Sequence, residues 1–357
     1  MGNSRVRLNM KSKIFNQIKH FLEKWAKTGD AEKDVISSPI LTPMPQMVYL
    51  ELTNHCNLRC IMCTFHSPFS PCLVDGKPPR KKGFMKKELA FKIIDELGLS
   101  EQPITVALHG AGEPLLYKEV PEVVARANCY PNLNIGFLTN AMLLTPEISR
   151  KLIESGLKWV SFSIDGNSPD LFERYRKGAD LETVLKNAMN FLEITKEIGT
   201  GIVTHVNMTV QEEMWQQVDD FVDFWLPLVD RVSISPCRPM GSRRSPLVTP
   251  EAQRIPCPML FFMMVIYWDG KVGLCCEDWF NEGCMGDVEK EGVAGVWRGK
   301  RFQWARQMHK KKLYHKVPLC GDCDIWFNGT PEISRDEFRK CTVTKNAWQW
   351  EYRKDAL

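Results

Sequence analysis

Cys56, Cys60 and Cys63 lie in the run CNLRCIMC, three thiols within eight residues, separated by three residues and then by two. Thiolates are the usual ligands of iron–sulfur clusters, ordinarily four to a [4Fe–4S] cluster. Three ligands on one loop leave one iron with an open coordination position, the counterpart of the open site that marks catalytic zinc. The alternative is a zinc knuckle borrowing His55 or His66, although zinc ligands more often come as two C-x2-C pairs. Downstream, Cys257, Cys275, Cys320 and Cys323 form a second set, with spacers of 17 and 44 residues before a closing C-x2-C. Four ligands leave no vacancy and predict a closed cluster or a structural zinc. Cys276 is an alternative to Cys275, since adjacent strand residues point apart; Cys284 and Cys341 are spare.

Such thiols need a scaffold. Strand patterns at 47–53, 104–110, 133–140, 159–165, 201–210 and 231–236 alternate with helical patterns at 84–98, 118–128, from Thr145 onward, 181–199 and 214–229. Thr145 can cap its helix and Pro146 suits the first turn. Apolar strands covered on both faces predict parallel pairing with helical crossovers. Six repeats fall short of a closed eightfold barrel, so the expected fold is α/β, an open partial (β/α)6 TIM-like barrel. Function then belongs at the C-terminal strand ends, where the three-cysteine loop follows the first strand. Beyond about residue 245 the alternation stops, and cysteine, tryptophan and glycine predict a small metal-held module. Within it WDGKVGLCC reads as a hairpin with an Asp269–Gly270 turn presenting a thiol. The expected division is an extension at 1–45, the barrel at 46–245, the Cys-rich domain at 246–340 and a tail at 341–357.

In the extension, Ile14, Phe15, Ile18, Phe21, Leu22 and Trp25 recur at helical spacing among lysines. This predicts a basic amphipathic helix that packs on its own protein or lies on an anionic membrane surface. The 357 residues carry a net charge of +4, too mild to argue for nucleic acid. No run of 18 apolar residues exists, and the start lacks a secretory signal. Thirteen cysteines, an odd number, argue against a disulfide framework and for metal ligands in a reducing cytoplasm. The basic tract PPRKKGFMKK, residues 78–87, reads as a solvated loop or a docking surface for an acidic redox donor. It lacks the aromatic interleaving of a nucleic-acid site.

The C-x3-C-x2-C run after the first strand of such a repeat resembles the radical S-adenosylmethionine superfamily, with Met62 where that family usually has an aromatic residue. The resemblance implies that the open iron is chelated by S-adenosylmethionine. Electron transfer from the cluster then yields a 5′-deoxyadenosyl radical that abstracts hydrogen from the substrate. HGAGEPLL resembles the family's GGEP motif: Gly110 and Gly112 would let backbone approach the ligand, and Glu113 would pair with the methionyl ammonium. Asn140, with Thr139, and Ser163 and Asp165 end the third and fourth strands, where hydrogen bonds to ribose or the methionyl carboxylate are expected; capping or turn roles are the alternative. Arg176, with Arg174 its rival, would meet the carboxylate, and Asn207 would flank the adenine.

The downstream cysteines resemble the SPASM/twitch domains that follow many of these enzymes, and their spacing implies one auxiliary [4Fe–4S] cluster. Such a cluster would accept an electron left on the substrate, and Glu277, Asp278 and Arg238 are candidates for the acid–base work beside it. The resemblance thus implies an oxidoreductase, a dehydrogenase of a carbohydrate or cyclitol hydroxyl, or a peptide-modifying enzyme, reduced by flavodoxin or ferredoxin. The N-terminal 45 residues show no leader-peptide-binding domain, which favours the small molecule. An iron–sulfur electron carrier or scaffold would explain the cysteines but not Glu113 and the repeats.

Overall fold

A computed structural model of the chain describes residues 42–73, 78, 80–238, 254–326, 332–346 and 349–354. The expected amphipathic helix at 14–25 and the expected boundary near 245 lie outside these residues. Six parallel strands pair in chain order: β1 (Met47–Leu50), β2 (Ile104–Ala107), β3 (Leu133–Thr139), β4 (Trp159–Ser163), β5 (Val203–Val210) and β6 (Arg231–Pro236). The connecting helices are α1 (Lys87–Gly98), α2 (Val120–Asn128), α3 (Pro146–Glu154), α4 (Pro169–Tyr175), α5 (Leu181–Ile198) and α6 (Val218–Trp225). Thr145 caps α3 by accepting the Ile148 N–H, and Pro146 occupies the first turn. The short helix α4 was not expected, because its seven residues bury a single side chain, Phe172, and so carry no periodic signal.

Period-two alternation gives the sheet two different faces. Val48, Val106, Phe137, Phe162, Val206 and Ile234 are fully buried in one large cluster with the helices. Each such side chain contributes about 1.5–3 kcal/mol by leaving water. The opposite face carries Tyr49, His109, Ser161, His205 and Ser233. His205 bridges two neighbouring strands there, its Nδ1 3.1 Å from Ser161 Oγ and its Nε2 2.8 Å from Ser233 Oγ. Tyr49 and His109 are in ring contact at 4.6 Å.

The sheet does not close. After α7 (Met259–Phe262), strand β7 (Met263–Ile266) pairs in parallel with β1 and turns through Asp269–Gly270 into β8 (Lys271–Gly273), followed by β9 (Gly286–Asp287). Gly270 takes φ +78, as a hairpin turn of this kind requires. Helices α8 (Val288–Trp297) and α9 (Lys300–Lys310) follow. At the other edge, β10 (Glu332–Asp336), β11 (Cys341–Lys345) and β12 (Trp350–Lys354) form an antiparallel meander whose last strand joins β6. The stretch expected as a tail therefore contains two of the twelve strands that the sheet has among the described residues. Cys341, Val343 and Tyr352 are its inward anchors.

Candidate functional site

The three-cysteine loop leaves the C-terminal end of β1 and is fixed from several sides. Asn54 ties it to the following segment through Lys81 O and Gly83 N. The Arg59 and Ile61 N–H groups donate to Lys177 O and Tyr175 O, each at 2.8 Å, so the end of α4 holds the loop down. Cys56 Sγ accepts the Leu58 N–H at 3.4 Å, and Cys63 Sγ accepts the His66 N–H at 3.3 Å. Backbone donors to sulfur are among the protein's means of tuning Fe–S clusters. Burial pushes the Cys56 thiol up to about 12, with Glu113, Cys60 and Cys63 adding to the effect. Burial also raises Cys60, against the pull of Arg176.

The HGAGEP loop packs directly on this one. A Cβ on Gly112 would meet His55 O at 2.4 Å and Thr53 O at 2.5 Å; one on Gly110 would meet the Glu51 side chain at 2.6 Å. Both glycines thus serve loop-on-loop packing, where the sequence suggested approach to a ligand. Glu113 is buried; its N–H donates to His55 O, and its carboxylate accepts from Thr139 Oγ1 (2.7 Å), Asn140 N (2.9 Å) and Leu115 N (3.2 Å). Burial lifts its carboxyl to about 7 despite these donors. Asn140 closes the circuit, its Nδ2 donating to Asn57 Oδ1 at 2.8 Å.

Asp165 and Arg176 find each other. The buried pair is bidentate, with Arg176 Nε at 2.6 Å and Nη2 at 2.8 Å, and Thr209 N also donates to Asp165 at 2.8 Å. Burial opposes the Arg176 charge, but Asp165 and Cys60 hold its pKa above the usual value. Arg176 interacts electrostatically with Cys56, Cys60 and Glu113, so loop, glutamate and arginine share one site. Arg174, its rival, pairs at the surface with Glu213. Ser163, the last residue of β4, is the register partner of Asn207 in the middle of β5, and Asn207 Oδ1 accepts from Ser235 Oγ.

The second thiol set meets in a pocket lined by Cys257, Cys275, Cys320 and Cys323 together with Glu277. Cys276 packs against the Met263, Val265 and Tyr267 cluster, with its thiol in contact with that of Cys275. Burial raises Cys257 well above its ordinary value, the other three thiols adding to the effect, and raises Cys323 to about 11. Cys323 Sγ accepts the Ile325 N–H at 3.4 Å. Four converging thiols suit a closed cluster. Arg238 donates to Glu277 Oε1 at 2.9 Å, tying the strand end after β6 to this pocket. Asp278 does something else: its carboxylate takes N–H groups of Leu274, Glu282 and Gly283, and the Tyr267 hydroxyl donates to its carbonyl. It clamps the 274–283 turn, a structural task in place of the expected acid–base one.

Sequence reasoning missed Arg80. It forms a buried bidentate pair with Glu51, donates to Trp279 O at 3.1 Å and stacks over Tyr267 at 4.1 Å. Glu51 also accepts the Ala111 N–H, so this pair touches the HGAGEP loop. Nothing in a basic tract singles out the one member that turns inward.

An open α/β sheet whose first strand delivers three thiols beside a buried carboxylate, extended by a four-thiol pocket, defines a cluster-dependent enzyme scaffold. Residues 50–224 match the radical SAM superfamily and residues 257–324 match the iron–sulfur cluster-binding domain called SPASM. The chain belongs to the radical S-adenosylmethionine superfamily, with S-adenosylmethionine, its [4Fe–4S] cluster and auxiliary cluster chemistry as its cofactors. It is 25% identical over 327 residues to a tungsten-containing aldehyde ferredoxin oxidoreductase cofactor-modifying protein of Pyrococcus furiosus, covering 78% of this chain and 87% of that one. The fold is similar to BtrN in complex with AdoMet and 2-DOIA (TM-score 0.52, 18% identity, 79% of this chain and 93% of that one). It is also similar to Streptococcus suis SuiB bound to S-adenosylmethionine (TM-score 0.60, 15% identity, 79% and 72%). Among the described residues, no helix is long and apolar enough to cross a membrane.

Proposed function

We propose that this enzyme oxidises a hydroxyl-bearing small molecule, removing two electrons and two protons from a CH–OH group to leave a carbonyl. The observation that carries this reading is the polar inner face of the sheet. Ser161, His205 and Ser233 form a hydrogen-bonded row across three strands, with Asn207 and Ser235 beside it and Tyr49, His109 and Trp159 supplying aromatic walls. Such a surface suits a compact polar ligand. The Pyrococcus relative, described as cofactor-modifying, is in keeping with a small-molecule substrate.

In this reading Cys56, Cys60 and Cys63 hold the S-adenosylmethionine cluster, and Cys257, Cys275, Cys320 and Cys323 hold one auxiliary cluster, in domains spanning 46–245 and 246–340. When bound, these groups supply a radical able to take hydrogen from carbon and a place for the second electron. Glu113 receives the methionyl ammonium. Arg176, held by Asp165 through Nε and Nη2, turns its charge toward the carboxylate. Glu277, oriented by Arg238, takes the substrate proton. An acidic flavodoxin or ferredoxin is the proposed electron donor.

The test is anaerobic incubation with dithionite, S-adenosylmethionine and panels of cyclitols, sugars and peptides. Release of 5′-deoxyadenosine with a cyclitol or sugar product two hydrogens lighter is expected. A modified peptide in place of that product overturns the substrate class, and no 5′-deoxyadenosine at all would leave only an electron carrier. Iron should reach about eight per chain, four for each cluster.

A further inference from the structure

His309 sits in the last turn of α9 with no exposure to solvent, and it lines the four-cysteine pocket. Its Nδ1 accepts the backbone N–H of Cys257 at 3.1 Å. A ring nitrogen that accepts carries no proton, so the neutral imidazole keeps its hydrogen on Nε2. That Nε2 is buried and has no partner. Tyr314 packs edge-on against the ring, with centroids 5.1 Å apart.

Arg254 repeats the pattern on the same pocket. Its Nη1 donates to Gly321 O at 2.9 Å, its Nη2 donates to Cys320 O, and its guanidinium lies 4.1 Å over Tyr314. Two of its nitrogens are thus spent on the backbone that carries a thiol, while Nε is buried without a partner. The other pocket walls are mainly apolar: Met259, Leu260, Leu274, Leu319, Ile325 and Trp326. Two orphaned N–H donors in one dry pocket are unfavourable unless an acceptor arrives with the pocket's occupant.

We infer that His309 and Arg254 donate hydrogen bonds, through Nε2–H and Nε–H, to sulfur of the auxiliary cluster and so set its reduction potential. The inference rests on the reading of Cys257, Cys275, Cys320 and Cys323 as that cluster's ligands. His309 is no ligand itself, since four thiols already fill the set and the nitrogen it offers bears a proton. It is a positioning residue: one edge fixes the Cys257 backbone and the other stabilises negative charge on sulfur. Hydrogen bonds to cluster sulfur favour the reduced, more negative state and raise the potential.

The test is an EPR-monitored redox titration of the full chain reconstituted with both clusters, using added S-adenosylmethionine to mark the signal of the open one. His309→Asn keeps an oxygen for the Cys257 N–H and deletes the distal donor; His309→Gln returns a donor near the Nε2 position. The auxiliary midpoint should fall in H309N, lowering the reduced-to-oxidised ratio at fixed poise about tenfold, or 59 mV for one electron. H309Q should recover part of that shift. Arg254→Lys, which keeps a cation for the two carbonyls but loses Nε–H, should show a smaller fall, and the open cluster's midpoint should stay put throughout. An H309N protein with its auxiliary cluster assembled and its midpoint unchanged overturns the inference. Where H309N assembles no cluster, R254K decides by the same measurement, an unchanged midpoint counting against. Loss of the ligand reading is separately visible: Cys320→Ala would then retain all of its iron and the auxiliary signal.

Discussion

The two thiol sites solve opposite problems. The first draws its cysteines from one eight-residue loop and surrounds them with buried charge: Glu113 under three hydrogen bonds, Asp165 against Arg176, and Glu51 against Arg80 just behind. The second gathers its cysteines from three separate segments and surrounds them mostly with hydrocarbon. A site that must admit a zwitterionic nucleoside needs fixed charges of both signs, each held by partners so that it survives burial. A site whose metal positions are all taken by thiolates needs only those thiols, a largely apolar wall and a few donors. On the proposed function, the contrast separates a chemical centre from an electron acceptor.

The sharpest way to break this contrast is to remove one thiol from each side. Cys60→Ala should cut 5′-deoxyadenosine release more than ~10²-fold, beyond what the loss of an outer partner brings at a metal site. Cys320→Ala should keep that release within about tenfold while oxidised product disappears, because the two steps depend on different sites. Iron content should drop by about four per chain in each case. If both variants lose release equally, the auxiliary pocket is part of the chemical centre and the division falls.

Charge burial distinguishes the sites in stability too. Arg80→Met leaves Glu51 uncompensated at 1% exposure and should cost about 3–5 kcal/mol in denaturant unfolding. Pairing it with Glu51→Gln should restore more than half of that loss. Gly112→Ala comes next, at about 1–3 kcal/mol, because its Cβ would meet two backbone carbonyls that cannot yield. Gly201→Ala is the matched control, with nothing within 4 Å of its added carbon, and should change little.

How much of this was legible beforehand follows the same division. The first site is local: C-x3-C-x2-C, the GEP tripeptide and six apolar strands are all contiguous patterns, and the Thr145–Pro146 cap and the Asp269–Gly270 turn are two-residue signals. What the sequence hid is tertiary. Arg80 looks like its neighbours Lys81 and Lys82, and only the folded chain turns it inward. The Asp165–Arg176 pair was read as two ligand contacts because each residue alone suits one. His309 is a histidine near the end of a basic helix until Cys257, 52 residues away, fixes its tautomer. The meander after residue 332 was missed because its inward residues are few, and short strands without following helices break the pattern that identified the others.

Glu113 gives the finest discrimination, because its effect is a slope. Its carboxyl is raised from 4.5 to about 7, chiefly by burial, with Arg176 and the Asn140, Thr139 and Leu115 donors opposing. A raised carboxyl means the folded chain holds a proton that the unfolded chain has already lost. The Glu113 contribution to the stability of the cluster-free protein should therefore fall by about 3 kcal/mol as pH rises from about 4.5 to 7, and level off above. His66, His109, His205 and His309, lowered to about 4 by burial, act in the opposite direction, so the Glu113 contribution is read as the difference between the unsubstituted and Glu113→Gln proteins. A ligand ammonium beside Glu113 has the reverse interest, since it favours the ionised form. S-adenosylmethionine affinity, measured by equilibrium dialysis on the reconstituted enzyme, should climb up to ~tenfold per pH unit below 7 and then flatten. In Glu113→Gln the affinity slope should vanish, whatever the change in affinity itself. The auxiliary site supplies the contrast: substitution of Cys320 should leave the slope intact. A pH-independent affinity in the unsubstituted enzyme would place the ammonium elsewhere and make Glu113 a clamp between the HGAGEP loop and the end of β3.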